Sequence, residues 1–295
     1  MERSLKIALG SFVVSLVVLA IKYAAYWVTG SVALLSDALE SIINVVSALA
    51  VIVSVKIASQ PPDEEHPYGH HKAEYLSAVL VGALIIAAAV AIMHEAYYGF
   101  LAPKPIDAAW TGLAVSSFAT VINVVWANLL IRQGRLQRSA SLVADGKHLM
   151  ADVVTSVGVV IGVVLVVWTG ITQLDAAIAA LVAVHVLWSG WGVLKESASG
   201  LLDEAAPPEE LAHIREIISL NADDAIEAHA LRTRHAGKVT FIDFHLVVSA
   251  TMTVGQSHDI CDRIEEALRA AISGAIVTIH VEPEHKAKHK GIVVV

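Results

Sequence analysis

Long apolar runs dominate the first two thirds of the chain. Five of them contain no Asp, Glu, Lys or Arg: Ile7–Ile21, Leu76–Met93, Ala108–Ile131, Val153–Leu174 and Ala176–Leu194. Each is close to the roughly 17–25 residues that a helix needs to cross the hydrocarbon of a bilayer. A sixth run, Ser31–Val55, is as long and as apolar but contains Asp37 and Glu40. The pattern predicts six transmembrane helices.

The last third of the chain has a different pattern, with amphipathic helices and alternating strands. A helix is expected from Pro207 to about Ser219, and a second from Val254 to Ile272. The strands are expected at Ile226–Arg234, Val239–Val248 and Ile276–Val281. This α-β-β-α-β order predicts a small α+β domain of the metallochaperone-like kind. The predicted division is 1–204 for the membrane domain, 205–285 for a cytoplasmic metal-binding domain, and 286–295 for a polar, unstructured tail.

Composition and charge narrow the class of protein. The chain is 56% apolar and 16% charged, whereas soluble domains average roughly 45–50% and about 25%. A net charge of -8 disfavours a nucleic-acid partner, and the single cysteine, Cys261, excludes an internal disulfide framework. We therefore expect a multi-pass protein whose surroundings are the lipid bilayer.

The basic residues of the short connections predict the orientation. One side of the six predicted helices holds nine of them: Arg3, Lys6, Lys56, Lys72, Arg132, Arg135, Arg138, Lys147 and Lys195. The other side holds only Lys22 and Lys104. Cytoplasmic loops carry the excess of Lys and Arg, so both termini are expected in the cytoplasm. The short ends without a targeting peptide favour a bacterial inner membrane.

Polar side chains inside the apolar runs form two pairs with the same spacing. Glu40 and Asn44 are four residues apart in the second run, and His148 and Asp152 are four apart at the start of the fifth. Residues i and i+4 share a helix face, so each pair can direct two ligand atoms at one point. Two facing helices would supply the four ligands of a tetrahedral ion. An interhelical hydrogen bond or a membrane-interface cap would explain each pair taken separately.

Several motifs make the chain resemble the cation diffusion facilitators, a family of divalent-metal/proton antiporters. They are the segment Ser31–Ser41, the loop His66–Glu74, His148-x-x-x-Asp152 and Leu231–Arg234. The resemblance covers nearly the whole length and implies six spans, a cytoplasmic metallochaperone-like domain, a homodimer, and transport rather than enzymatic catalysis. The transported cation would leave as protons enter, because His and carboxylate ligands must lose protons to bind metal.

The second-span pair departs from the family pattern. Relatives usually carry His or Asp followed four residues later by Asp, where this chain has Glu40 and Asn44. Three oxygen donors and one imidazole shift the preference toward harder ions such as manganese or iron. Zinc is still favoured, with manganese, iron or cobalt as alternatives. A second hypothesis is a membrane-anchored metal sensor or scaffold that binds without transport, because Asn44 stands in place of an acid.

The resemblance implies two further metal sites and one ion pair. The loop site would consist of Asp63, His66 and His70, although a solvated charge cluster would give the same pattern. The cytoplasmic site would draw on both strands of the hairpin, the second helix and the last strand: His229, His245, His258, His280 and Glu282. A set of surface histidines is the alternative there. Lys72 would pair with Asp203 and lock the spans over the cytoplasmic domain.

Overall fold

The computed structural model describes residues 2–29, 32–102, 110–171 and 173–293. The side chains of some helical residues, among them those at 32–40, are outside the described part as well. The chain divides into two compact units, residues 1–198 and 199–295. Each unit is described by itself below.

Six long helices form the first unit: α1 (Glu2–Thr29), α2 (Val32–Ala58), α3 (Ala73–Leu101), α4 (Trp110–Leu136), α5 (Ala140–Thr169) and α6 (Gln173–Leu201). Among the described residues, five helices are long and apolar enough to cross a membrane, and α4 is a sixth helix of similar length. Many large apolar side chains, such as Trp168 and Leu181, lie exposed on these helices. Such outward-facing apolar surfaces suit a lipid environment, so this unit is a helical transmembrane domain.

The fifth helix is longer than the charge-free run that indicated it. That run begins at Val153, and His148 and Asp152 were expected at the start of the fifth span, whereas α5 begins at Ala140 and ends at Thr169. The Ser139 side chain caps its first turn, and Gly170 ends it with a left-handed φ of 76°. The charge-free run marks only part of α5 because polar residues of its first turns lie inside the helix bundle, where neighbouring helices satisfy them.

The second unit has α7 (Pro208–Asn221), β1 (Glu227–Ala236), β2 (Val239–Val248), α8 (Val254–Ala271), β3 (Ala275–Pro283) and β4 (Ile292–Val293). The strand order is β3-β2-β1-β4; β1 is antiparallel to β2 and β4, while β2 and β3 are parallel. This architecture confirms the predicted fold class. The expectation of an unstructured tail was wrong at Ile292–Val293, because these residues pair with β1.

The core of the second unit lies between one face of the sheet and the two helices. Phe244 and Leu246 of β2 pack there with Ile214 of α7 and Ile264 and Leu268 of α8, all fully buried. Because side chains alternate along a strand, the intervening residues of β2 point to the opposite face. The sheet therefore has one face for the core and another for other chemistry.

Candidate metal centres

The membrane site joins α2 and α5. The Asn44 amide Nδ2 donates a 2.7 Å hydrogen bond to Oδ2 of Asp152. Asn44 and His148 are buried, with 3% and 4% of their surfaces exposed. The structure thus brings together the two helices that carry the predicted ligands. Glu40 belongs to α2, but its side chain lies outside the described residues.

The free oxygen of the Asn44 amide has the chemistry of a metal ligand. Its Oδ1 is buried and accepts no hydrogen bond from the described residues. A buried amide oxygen without a donor is costly, and a bound cation would satisfy it. The carboxylate of Asp152 lies beside the same amide. These donors fit a divalent cation of borderline hardness.

A buried carboxylate that the sequence analysis missed lies one turn before His148. Asp145 is 2% exposed and accepts hydrogen bonds from Ser11 Oγ on α1 at 2.6 Å and from Ser47 Oγ on α2 at 3.0 Å. Positions 145, 148 and 152 recur at helical spacing, so this periodicity could have revealed it. The spans were recognised as runs without charged residues, so Asp145 lay outside the fifth run.

A second missed carboxylate is Glu74, near the start of α3. Its Oε2 accepts hydrogen bonds from the hydroxyls of Ser139 and Ser141, the latter at 3.1 Å. Only 5% of Glu74 is exposed. The carboxylate therefore fastens the first turn of α5 to α3, where the positive end of the helix dipole favours an anion.

The loop site is compact. Ligand atoms of Asp63, His66 and His70 lie within 4.8 Å of one another. A turn closed by the Gly69 amide on the His66 carbonyl at 2.9 Å, with Gly69 at φ 80°, returns His70 to Asp63. Nε2 of His70 is 3.4 Å from Asp63 Oδ2, and Nδ1 of His66 is 3.3 Å from Oδ1.

The backbone of the loop holds the Asp63 carboxylate in its ionised form. The His66 amide donates a 2.6 Å hydrogen bond to Asp63 Oδ1. This bond, with smaller contributions from the nearby imidazoles, lowers the pKa of Asp63 below its usual value of 3.8. Asp63 is thus a ready ligand at neutral pH.

The predicted ion pair between Lys72 and Asp203 would link residues of different units, and it stays a prediction. Lys72 directly precedes α3. Within the second unit, Arg234 Nη1 lies 3.3 Å from Asp203 Oδ1. The same guanidinium lies 4.2 Å from the centre of the Phe241 ring.

The cytoplasmic site is a row of imidazoles across the sheet. His229 of β1 is paired with His245 of β2, and His245 with His280 of β3. The rings of His229 and His245 are 5.3 Å apart, and those of His245 and His280 are 4.9 Å apart. Strand register therefore places three imidazoles side by side on the face opposite the core.

Glu282 completes this row. Its Oε2 lies 3.2 Å from His229 Nε2 and its Oε1 lies 3.3 Å from His245 Nδ1. Ligand atoms of these three residues lie within 4.8 Å of one another. His280 is more exposed, and its Nε2 lies 3.8 Å from Glu282 Oε1. Imidazoles with a carboxylate form a donor set that suits zinc.

His258 does not join the row. It lies on α8, its side chain is 71% exposed, and its Nε2 is 3.7 Å from Asp262. Helix α8 packs against the core face of the sheet, whereas the row lies on the other face. Its role as a ligand stays a prediction.

A β-bulge shapes the backbone next to His229. The pairing of β1 and β2 shifts between His229 and Arg232, and Ala230 has a φ of 54°. A non-glycine residue in this region is strained, and bulges commonly redirect a side chain beside a site.

Comparison with known proteins agrees with this architecture. A model of the cation efflux transmembrane domain matches residues 8–202, and a model of the cation efflux protein cytoplasmic domain matches residues 206–284. An uncharacterized transporter of Synechocystis is 44% identical over 269 residues, which cover 91% of this chain and 87% of that protein. The cation-efflux pump FieF of Pectobacterium atrosepticum is 32% identical over 276 residues, which cover 94% of this chain and 91% of the pump.

Solved structures align with part of the chain. CzrB in its Zn form is 45% identical, with a TM-score of 0.28, and the alignment covers 29% of this chain and 98% of that structure. The two family models together span most of the sequence, in the same order as its two units. The chain therefore belongs to the cation efflux family of transporters, the cation diffusion facilitators that its motifs resemble.

Proposed function

We propose that this multi-pass membrane protein exports a divalent transition-metal cation in exchange for protons. The observation that carries the proposal is the 2.7 Å contact between Asn44 of α2 and Asp152 of α5, with buried His148 one turn away on α5. Placing a carboxylate and an imidazole inside an apolar bundle costs free energy, so residues of this kind in a membrane domain indicate a functional site. Together with Glu40 they would form the site that the cation crosses.

The ligand chemistry supports coupling to protons. His148, Asp152 and Glu40 must each be deprotonated to bind a cation, so protonation would release it. Asn44 has no proton to exchange. Its Nδ2 instead holds Asp152 in place, and its free Oδ1 is available to the cation.

Zinc is the favoured cation, with manganese, iron or cobalt as alternatives. One imidazole with oxygen donors accepts zinc, but it also suits harder ions. The cytoplasmic row of imidazoles would bind zinc more readily than manganese. The metal content of the purified chain, read beside the flux of each ion, would establish the order of preference.

The test is metal uptake into vesicles with an imposed pH gradient. We expect uptake by the wild-type chain that collapses with the gradient and is lost in Asp152→Ala. Glu265→Ala is a control, because this carboxylate of α8 forms an ion pair with Arg269 at 2.7 Å and belongs to none of the candidate metal sites. Equal uptake by wild type and Asp152→Ala would contradict the proposal.

The alternative is a membrane-anchored metal sensor or scaffold. The close cluster of His229, His245 and Glu282 favours it, because this cluster could bind metal without any membrane site. Metal binding by the purified chain without gradient-driven uptake would support this alternative.

Assembly and location complete the proposal. The match to the family's cytoplasmic domain supports a homodimer. Bacterial relatives and the distribution of basic residues support an inner membrane with both termini in the cytoplasm. Crosslinking in intact membranes and protease access from each side would test these two points.

A further inference from the structure

A buried carboxylate outside the predicted ligand set lies beside the cytoplasmic row. Glu227 of β1 is only 4% exposed. It is two residues before His229, so both side chains share the face of the sheet that carries the imidazoles. A buried carboxylate needs hydrogen-bond donors to offset its desolvation, and the identity of those donors shows what it does.

The donors come from the C-terminal tail. The backbone amides of Lys288 and His289 donate to Glu227 Oε2 at 3.1 and 2.9 Å, and the Gly291 amide donates to Oε1 at 3.1 Å. We call residues 288–293 the C-terminal strap. Its last residues form β4, in which Ile292 lies opposite Ala228 and packs against the core.

The same carboxylate also faces a metal-site imidazole. Glu227 Oε1 lies 3.5 Å from Nδ1 of His229, while Nε2 of that ring lies 3.2 Å from Glu282. The first distance is slightly longer than an N–H···O hydrogen bond. A carboxylate beside Nδ1 favours the tautomer with its proton there, which leaves the Nε2 lone pair directed at the site.

Glu227 is therefore poorly placed to be a ligand itself. One of its oxygens accepts two amides, and the other accepts a third and faces His229. Binding a cation would require the strap to leave. Its contacts instead suit a residue that orients His229 while it holds the strap.

We propose that Glu227 is a positioning residue of the cytoplasmic metal site, and that a divalent cation in this site tightens the docking of the C-terminal strap. The inference rests on metal binding at the cytoplasmic row. A cation on Nε2 of His229 strengthens Nδ1–H as a donor to Glu227, which fixes the carboxylate that holds the strap. By linkage, the docked strap must raise the affinity for the cation by the same factor.

The chain offers a variant that displaces the strap while residue 227 keeps its own side chain. A Cβ at Gly291 would lie 2.5 Å from Glu227 Oε1 and closer still to the carbonyl oxygen of Ala228, so Gly291→Ala forces the strap away. Gly255→Ala is the matched control, because nothing lies within 4 Å of a Cβ there. Glu227→Gln keeps the shape but removes the charge.

The experiment measures binding rather than flux. The full-length chain with Asp63→Ala and Asp152→Ala serves as background, so that the cytoplasmic row is the site under test, and Co²⁺ is the probe. We expect Glu227→Gln and Gly291→Ala each to weaken Co²⁺ binding about tenfold and to change its visible spectrum. Gly255→Ala should match the background chain. Circular dichroism of each variant checks that it is folded.

Hydrogen exchange tests the reverse direction of the coupling. Saturating Co²⁺ should slow exchange at the amides of Lys288, His289 and Gly291, and should not do so after His245→Ala. Unchanged affinity and spectrum in both folded variants, or strap amides indifferent to Co²⁺, would overturn the inference. A background chain that binds no Co²⁺ would overturn it too, whereas loss of vesicle uptake alone would contradict only the antiport proposal.

Discussion

Asn44 shows how one side chain can serve both the empty and the filled membrane site. Its amide donates to Asp152 and leaves its oxygen free, so the polar groups are partly satisfied without a cation. A carboxylate at this position would lose the donor and add a charge. The metal-free site would then be less stable relative to the metal-bound site than it is with Asn44.

Asn44→Asp should therefore bind divalent cations more tightly, by about tenfold, which is about 1.4 kcal/mol. The metal-free variant should also be less stable than the wild type, because two carboxylates would face each other. Metal titration and thermal unfolding with and without Zn²⁺ would measure both effects. Asn44→Ala, which removes donor and ligand, should bind more weakly than the wild type. An unchanged metal profile in Asn44→Asp would argue against Asn44 as a ligand.

The loop site offers a prediction about pH. Because its pKa is held below 3.8, Asp63 stabilises the folded loop above that value, and the stabilisation is lost as the pH falls through the lowered pKa. Asp63 therefore keeps its negative charge between about pH 5 and 8 and contributes that charge to metal binding across this window.

Asp63→Asn should weaken metal binding at the loop at every pH in this window and leave the steepness of the pH dependence unchanged. Metal titrations of the full chain with Asp152→Ala and His245→Ala would isolate the loop site. A shallower pH dependence in Asp63→Asn would show that Asp63 exchanges a proton in this window.

At the scale of elements, α5 carries buried polar residues that contact other helices of the membrane domain. It carries Asp145, His148 and Asp152, its first turn is tied to Glu74, and its later turns approach α6 closely. A Cβ at Gly158 would lie 2.5 Å from Cγ2 of Val182. This contact shows that α5 and α6 pack closely at Gly158.

Gly158→Ala should destabilise the bundle by about 1–3 kcal/mol through overpacking. Val182→Ala in the same chain should restore much of that loss, because it removes the opposing methyl groups. Thermal unfolding in one detergent would compare the two variants with Gly192→Ala, where nothing lies within 4 Å. Equal stability of Gly158→Ala and Gly192→Ala would contradict the close packing.

The hydroxyls around Asp145 give a second prediction at this scale. Ser11→Ala and Ser47→Ala should each cost about 1–3 kcal/mol, because each leaves an oxygen of a buried carboxylate without its donor. Thermal unfolding is the measurement, with Ser59→Ala as the control, since that exposed hydroxyl contacts only its own turn. Losses no larger than that of the control would indicate that water replaces the hydroxyls.

Periodicity revealed the elements better than it revealed their ends. Alternation and amphipathic spacing predicted α7, α8 and the three longer strands of the second unit, since a half-buried surface requires these patterns. The charge-free run marked only part of α5 because buried polar residues occupy the first turns of that helix. The strand at Ile292 was missed because its pairing partner, β1, lies more than sixty positions earlier in the sequence.

At the scale of the whole molecule, the membrane site and the cytoplasmic row should fail differently. Asp152→Ala should abolish flux at every metal concentration. His245→Ala should leave flux but change its dependence on metal concentration, because this residue belongs to the other unit. Stopped-flow uptake over a range of Zn²⁺ concentrations would separate them, and identical curves for the two variants would contradict separate roles.

Some residues of the candidate sites could be predicted from the sequence and others could not. Spacing of four residues on one helix predicted the pair His148 and Asp152, because helix geometry alone places them together. The row of imidazoles needed strand register, which the sequence indicates only through motif resemblance. Glu227 depended on contacts with a distant segment, which no local pattern reports. Asp145 shares the helical spacing of His148 and Asp152, so periodicity could have revealed it.

The register of the imidazole row has a consequence for how the domain can change. On β1, position 227 carries the positioning carboxylate and position 229 an imidazole of the row, while Ala228 faces the core. On β3, positions 280 and 282 carry an imidazole and a carboxylate, while Val277 and Ile279 face inward. At these positions, alternation places the metal-binding side chains on one face of the sheet and the core side chains on the other; on β1 this holds up to the bulge that follows His229. A single substitution on the metal-binding face can therefore change the ion preference of the domain without altering its hydrophobic core.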